Sequence, residues 1–172
     1  RILELGIGSG AISCAIAHEC RDMQLSIIGV DRSKVAIEVA QQNIDQYDLG
    51  QIVTLQEADW YNPLDIDPVD IIVSNPPYIA PSDSRVSAQV KAHEPQAALF
   101  SEAEGLADIE QILKIGHMYL KKGGQMLIEH GDRQQEQVLE LFKSLGYNHC
   151  CTGSYEGLAR FVKGDLVPVL RI

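Results

Sequence analysis

Four consecutive residues, Asn75-Pro76-Pro77-Tyr78, combine groups that suit the chemistry of a planar nitrogen. An amide or exocyclic amine nitrogen is a poor nucleophile because its lone pair is delocalised into a neighbouring π system. The side-chain oxygen of Asn75 and the carbonyl of Pro76 can accept hydrogen bonds from its two N–H groups, which orients the lone pair toward a methyl donor. The prolines fix the backbone between these acceptors, and Tyr78 can stack on the planar group.

Such a site needs neither a nucleophilic side chain nor a metal, because positioning of the nitrogen in line with the methyl group supplies most of the catalysis. The alternative interpretation is a plain Asn-Pro turn that closes a strand. We favour the functional interpretation because the segment directly follows a predicted strand.

The glycine-rich segment Gly6-Ile7-Gly8-Ser9-Gly10 follows an apolar run, and its glycines permit a tight turn and close approach of a ligand to the backbone. Asp31 follows the next strand about twenty residues later, where its carboxylate can accept two ribose hydroxyl groups. The pattern indicates an adenosine cofactor. It also fits a looser dinucleotide fingerprint, so the loop alone leaves the choice of cofactor open.

A second acid, Asp59, follows the third predicted strand and stands beside Trp60. Asp59 can accept a hydrogen bond from the exocyclic amine of adenine, and Trp60 offers a flat apolar wall. The alternative is a surface acid next to a core tryptophan.

Strand-like and helix-like segments alternate along most of the chain. Strands are predicted at 2–5, 25–30, 52–55, 69–73, 125–128, 148–152 and 158–162. Helices are predicted at 11–19, at 34–47 behind the capping residue Ser33, from 109 to a stop at Gly123-Gly124, and from a capping box of Asp132 with Gln135 to a stop at Gly146. The irregular stretch 79–104 is long enough to suggest a functional loop.

This alternation predicts an α/β fold with a mainly parallel sheet and helices on both faces. Ligands of such sheets bind beyond the carboxyl ends of the strands. The glycine loop, Asp31, Asp59-Trp60 and Asn75-Pro76-Pro77-Tyr78 all follow strand ends. We therefore expect them to converge on one edge of the sheet.

The composition is that of an ordinary globular protein of 172 residues, with 45% hydrophobic and 22% charged residues. Its net charge of −10 disfavours a sequence-independent grip on nucleic acid, so we expect no direct nucleic-acid partner and favour a protein or small-molecule partner. No apolar run predicts a membrane span, and no partner membrane is expected. The four cysteines show no metal-ligand spacing and are interpreted as reduced packing residues, with no metal site.

The chain resembles the class I S-adenosylmethionine-dependent methyltransferases of the HemK type, which are protein-(glutamine-N5) methyltransferases acting on peptide chain release factors. The resemblance is carried by Leu3-Glu4-Leu5-Gly6-Ile7-Gly8-Ser9-Gly10, Val30-Asp31, Asp59-Trp60 and Ser74-Asn75-Pro76-Pro77-Tyr78-Ile79. It continues in His93-Glu94-Pro95, Ala98-Leu99, Glu104-Gly105-Leu106, Leu120-Lys121-Lys122-Gly123-Gly124 and Ile128-Glu129-His130-Gly131. It weakens after Gly164.

The resemblance implies a Rossmann-like fold with a seven-stranded, mainly parallel sheet. It implies that Gly6-Ile7-Gly8-Ser9-Gly10 and Asp31 hold S-adenosyl-L-methionine, with Trp60 lining the adenine pocket and Asn75 close to the cofactor. Asn75-Pro76-Pro77-Tyr78 would hold the glutamine of a Gly-Gly-Gln tripeptide in a release factor. His93-Glu94-Pro95 would flank the bound peptide.

Residues 1–172 are then expected to form the catalytic domain of a cytoplasmic enzyme. The family also carries an N-terminal helical domain that helps to grip the release factor, and this sequence starts after it. The alternatives are a sister enzyme that methylates a glutamine of a ribosomal protein, an amino methyltransferase of nucleic-acid bases and a nicotinamide-dependent oxidoreductase. A cofactor-binding remnant without activity is a further alternative.

Overall fold

The computed structural model describes residues 1–83 and 96–166, which form one seven-stranded sheet. Its strands are β1 (Ile2–Leu5), β2 (Ile27–Asp31), β3 (Val53–Glu57), β4 (Val69–Ser74), β5 (Leu120–Glu129), β6 (Tyr147–Tyr155) and β7 (Leu158–Leu166). They lie in the order β3-β2-β1-β4-β5-β7-β6. The first five strands in this order, β3-β2-β1-β4-β5, are parallel to one another, and β7 is antiparallel to both of its neighbours. The prediction of a seven-stranded, mainly parallel sheet is confirmed.

Helices cover both faces of the sheet. They are α1 (Ala11–Glu19), α2 (Lys34–Gln46), α3 (Ala107–Tyr119) and α4 (Gln135–Ser144), and short helical segments span Gln96–Leu99 and Glu102–Gly105. The hydroxyl of Ser33 accepts a hydrogen bond from the backbone N–H of Ala36, so the predicted cap of α2 is confirmed.

Two apolar cores lie on opposite faces of the sheet because side chains alternate along each strand. On one face, Leu3 and Leu5 of β1 pack with residues of α3 and α4, among them Ile112 and Phe142. On the other face, Ile2, also of β1, packs in a cluster to which α1 and α2 contribute. The central strand is therefore anchored on both sides, which fixes the position of the loop that follows it.

Three details differ from the sequence-based expectations. The third helix ends at Tyr119 and not at the glycine pair, because Leu120 already pairs with Val69 as the first residue of β5. The predicted capping box of Asp132 with Gln135 is wrong, since the residue that precedes α4 is Gln134. Among the cysteines, Cys14 is buried but Cys151 is exposed, so the interpretation as packing residues holds for Cys14 and is wrong for Cys151.

The outer strand β6 has an irregular ladder. Its pairing with β7 shifts register between Asn148 and Cys151 and again between Gly153 and Ser154. His149, which lies in the first shift, has a left-handed backbone with a φ of 48°. Such shifts are β-bulges, which bend a strand and increase its local twist.

Candidate active site

The predicted site segments meet at one edge of the sheet. Leu5 pairs with Val30 on one side and with Ser74 on the other. The glycine loop therefore leaves β1 directly between Asp31, at the end of β2, and Asn75, which follows β4. Adjacent strands lie about 4.8 Å apart, so these groups stand side by side. The strand order changes direction at β1 and β4, where ligands of open α/β sheets bind.

The glycine loop is supported by the neighbouring strand. The backbone N–H groups of Gly6 and Ile7 both donate to the carbonyl of Val30, at 2.8 Å and 3.0 Å. Gly8 has a φ of 55°, and a Cβ atom added there would meet no heavy atom within 4 Å. The backbone conformation favours glycine at this position, and the loop faces open space on that side.

Asp31 holds the loop from the end of β2. Its two carboxylate oxygens accept backbone N–H groups of Gly8, at 3.0 Å, and of Ser33, at 2.9 Å. An ionised carboxylate has about four acceptor positions, so capacity remains for hydroxyl groups of a ligand. Asp31 therefore shapes the loop in addition to the ligand contact that the sequence predicts.

A buried acid, Glu4, lies beneath the loop. Its carboxylate accepts both the hydroxyl and the backbone N–H of Ser13, which belongs to α1. Burial raises the pKa of Glu4 from its ordinary value of 4.5 to about 7, and the charge of Asp31 contributes in the same direction. Glu4 has no predicted role of its own, although an acid inside the apolar run 2–5 is a visible signal in the sequence.

Trp60 supports the loop from the core. Its side chain is only 7% exposed, and its ring lies 3.2 Å from the position that a Cβ atom of Gly6 would take. The indole Nε1 is buried and has no hydrogen-bond partner among the described residues. Asp59 is half-buried and accepts the backbone N–H of Tyr61 at 3.0 Å. Both residues lie beyond β3, where the sequence predicts them.

The segment Asn75-Pro76-Pro77-Tyr78 begins directly after β4. The buried hydroxyl of Ser74 donates to the carbonyl of Leu5 at 2.7 Å, which ties the ends of β4 and β1 together. Asn75 is exposed, both prolines are buried, and Tyr78 is half-buried. The Tyr78 hydroxyl donates to Glu129 at 3.3 Å, and burial together with that carboxylate raises the pKa of Tyr78. The exposed amide of Asn75 thus stands on a rigid support.

A cleft of about 300 Å³ adjoins the end of β4. Ser74, Glu129 and Arg160 contribute polar groups to its wall, and Tyr155 and Phe161 contribute aromatic surface. Ser74, the last residue of β4, therefore lies in the wall of this cleft and directly precedes Asn75. The volume of the cleft is at the lower end of the range for small-molecule pockets.

The residues predicted to bind the cofactor or the substrate amide lie among the described residues, and each lies at or after a strand end at the same edge of the sheet. His93-Glu94-Pro95, which was expected to flank a bound peptide, lies outside the described residues, as do residues 167–172. Within 1–83 and 96–166, no group of three or more His, Cys, Asp or Glu side chains is arranged to hold a metal ion. No helix in that part of the chain has the length and apolar character needed to cross a membrane.

The amino-acid sequence is similar to those of known proteins over nearly its whole length. Residues 1–163 match the family described as "Methyltransferase domain". The release factor glutamine methyltransferase of Aliivibrio fischeri is 39% identical over 168 residues, which cover 96% of this chain and 58% of that protein. The enzyme of the same name from Geobacter sulfurreducens is 37% identical, covering 96% of this chain and 57% of that protein. The chain thus spans less than two thirds of either relative.

Solved structures with low sequence identity share the fold. A SAM-dependent O-methyltransferase from Thermotoga maritima has a TM-score of 0.72 at 16% identity, covering 98% of this chain and 59% of that one. A methyltransferase from Pyrococcus furiosus has a TM-score of 0.71 at 16% identity, covering 97% and 75%. With its strand order, its glycine loop beside Asn75 and the match over residues 1–163, the chain belongs to the methyltransferase domain family.

Proposed function

We propose that this chain transfers a methyl group from S-adenosylmethionine to the side-chain amide nitrogen of a glutamine in a protein. The proposed substrate is the Gly-Gly-Gln tripeptide of a peptide chain release factor. The observation that carries the proposal is the pairing of Leu5 with Ser74, which sets the glycine loop and Asn75 next to each other at the sheet edge. The names of relatives with 37–39% identity support the choice of substrate.

The loop fits a cofactor that carries adenosine without phosphates. Gly8 faces open space, and the carboxylate of Asp31 retains acceptor positions for ribose hydroxyl groups beside its two backbone contacts. Asp59 would accept the exocyclic amine of adenine, and Trp60 would line the adenine pocket. The sulfonium of S-adenosylmethionine supplies an electrophilic methyl group and leaves as a neutral thioether.

The residues after β4 would hold the glutamine. The Asn75 side-chain oxygen and the Pro76 carbonyl accept hydrogen bonds from the two N–H groups of the substrate amide. These bonds orient the lone pair of the amide nitrogen toward the methyl group. Tyr78 stacks on the amide plane. Positioning of this kind is worth up to ~7–11 kcal/mol in favourable cases. After the N–C bond forms, the nitrogen releases one proton to water.

Calorimetric titration with S-adenosylhomocysteine, with NADH as the control ligand, tests the cofactor assignment. We expect binding of S-adenosylhomocysteine and none of NADH. Binding of NADH alone would mean that the loop serves a dinucleotide.

A methylation assay with radiolabelled cofactor tests the substrate, using a release factor, the same factor with its Gly-Gly-Gln glutamine replaced by alanine, and a ribosomal protein. We expect label on the unmodified release factor only. Label on the ribosomal protein alone would support glutamine methylation of a ribosomal protein as the function. Label on an added oligonucleotide would indicate a methyltransferase of nucleic-acid bases.

A further inference from the structure

The side-chain amide of Gln134, just before α4, joins three loops at the sheet edge. Its Nε2 donates to the carbonyl of Tyr78 at 2.9 Å and to the carbonyl of Glu104 at 3.0 Å. Its Oε1 accepts the backbone N–H of Gly131 at 2.9 Å. One side chain therefore bonds to the loop after β4, to the turn before α3 and to the turn after β5.

These partners fix the orientation of the amide. The NH₂ group has two donors, and both point at carbonyl oxygens, whereas the amide oxygen faces an N–H group. The reversed amide would place an oxygen against two carbonyls and an NH₂ group against a donor. Only glutamine, among the neutral side chains of this length, matches all three partners.

The surrounding backbone is shaped to this contact. Ala103 and Glu104 both have left-handed backbones, with φ values of 51° and 58°, and Gly105 follows at 85°. Left-handed residues other than glycine persist where neighbouring contacts hold them. A Cβ atom at Gly105 would lie 2.1 Å from the carbonyl oxygen of Tyr78 and 2.8 Å from Nε2 of Gln134. The turn can therefore approach the amide only because residue 105 lacks a side chain.

We propose that Gln134 is a positioning residue for methyl transfer, acting through the backbone of the segment 75–78. That segment is held at its start by Ser74, whose hydroxyl bonds to Leu5, and at its end by Gln134, which bonds to the Tyr78 carbonyl. The groups proposed to hold the substrate amide lie between these two attachments. The inference rests on the proposed function, and it adds a residue that touches neither substrate nor cofactor.

Gln134→Glu is the sharpest test, because it keeps an acceptor for Gly131 and removes both donors to the carbonyls of Tyr78 and Glu104. We expect kcat on the release factor to fall about 10- to 100-fold, since displacement of reacting groups by 1 Å can cost about 100-fold in rate. The dissociation constant for S-adenosylhomocysteine should stay within about twofold of wild type. Gln134→Leu should likewise lower kcat and leave the dissociation constant for S-adenosylhomocysteine within about twofold. The control is Gln137→Leu, which alters an exposed residue of α4 and should change neither quantity.

Assays are run well below the thermal midpoint of each variant, and amide hydrogen exchange is followed at Ile79, whose N–H bonds to Leu99. A lower kcat together with faster exchange at Ile79 and intact cofactor binding supports the proposal. Unchanged kcat in both Gln134 variants, unchanged exchange at Ile79, or parallel loss of kcat and cofactor affinity would overturn it. If the wild-type chain methylates no release factor, the proposed function fails, and exchange at Ile79 alone decides whether Gln134 holds the loop.

Discussion

Asn75 is the residue on which the proposed chemistry depends most directly. Its side chain is exposed at the edge of the sheet, so truncation removes a hydrogen-bond acceptor without opening a cavity. We expect Asn75→Ala to lower kcat at least about 100-fold, by analogy with loss of one preorganised hydrogen-bonding group at an active site. Cofactor affinity should weaken only modestly. Methylation assays and titration with S-adenosylhomocysteine check this, and equal large losses in both would contradict the assignment.

Asp31 acts on the cofactor half of the site. In Asp31→Asn, one carboxylate oxygen becomes an NH₂ group that faces a backbone N–H, so the contact with Gly8 or with Ser33 is lost along with the charge. A hydrogen bond from a ligand hydroxyl to a charged carboxylate contributes about 1.5–3 kcal/mol. Its loss corresponds to a roughly 10- to 100-fold rise in the dissociation constant for S-adenosylhomocysteine. Calorimetry measures the change. Glu57→Gln, which alters the exposed acid paired with Asp31 in the sheet, should leave the constant unchanged.

At the scale of elements, Gly116 determines how α3 packs on β6. A Cβ atom at this position would lie 1.9 Å from the hydroxyl oxygen of Tyr147, which is buried and donates to the carbonyl of Leu113 at 2.7 Å. Replacement of a helical glycine by alanine gains about 1 kcal/mol in helix propensity. Overpacking costs about 1–3 kcal/mol, and displacement of the Tyr147 hydroxyl adds about 1 kcal/mol.

We therefore expect Gly116→Ala to lower the free energy of unfolding by about 1–3 kcal/mol, since the steric cost exceeds the propensity gain. Urea denaturation with an unchanged slope checks the value. Gly50→Ala serves as the control, because a Cβ atom at Gly50 meets no heavy atom within 4 Å. Equal stability of Gly116→Ala and wild type would mean that α3 shifts to accommodate the methyl group.

The elements that were predicted well are specified by patterns of residues that are adjacent in the sequence. The bounds of β1 follow from an apolar run that ends at Gly6, and α2 begins behind Ser33 because the capping group is adjacent in sequence. The extension of β5 back to Leu120 depends on pairing with β4, about fifty residues away, and no local pattern shows it. The bond from Gln134 to the Tyr78 carbonyl is similarly distant, because 56 residues separate the two positions. The site edge could be predicted because each site residue follows a strand, whereas the bonds that hold those residues could not.

For the whole molecule, Glu4 makes stability depend on pH. Its pKa is raised in the folded state, so the native protein binds more protons than the unfolded chain between pH 4.5 and about 7. The contribution of Glu4 is most favourable below pH 4.5 and is lost as the pH rises through about 7. The difference corresponds to about 3 kcal/mol at 1.36 kcal/mol for each pH unit.

Glu4→Gln should remove this dependence, because its amide oxygen can still accept from Ser13 and carries no charge. We expect the variant to exceed wild type in free energy of unfolding by up to about 3 kcal/mol at pH 8 and to approach it at pH 4.5. Urea denaturation across this range gives the difference curve. A constant offset between the two proteins would indicate that Glu4 titrates alike in the folded and unfolded states.

The bulged outer strand β6 affects how copies of the molecule meet. A regular edge strand presents an unbroken row of N–H and C=O groups to which a strand of another copy can add. In β6 that row is interrupted at the first register shift, where His149 turns its backbone out of the extended conformation. The extra residue of the second shift, Arg160, lies in β7. An added strand could not follow this edge in one continuous register past His149. The bulge in β6 therefore also disfavours the addition of a strand from another copy at this edge of the sheet.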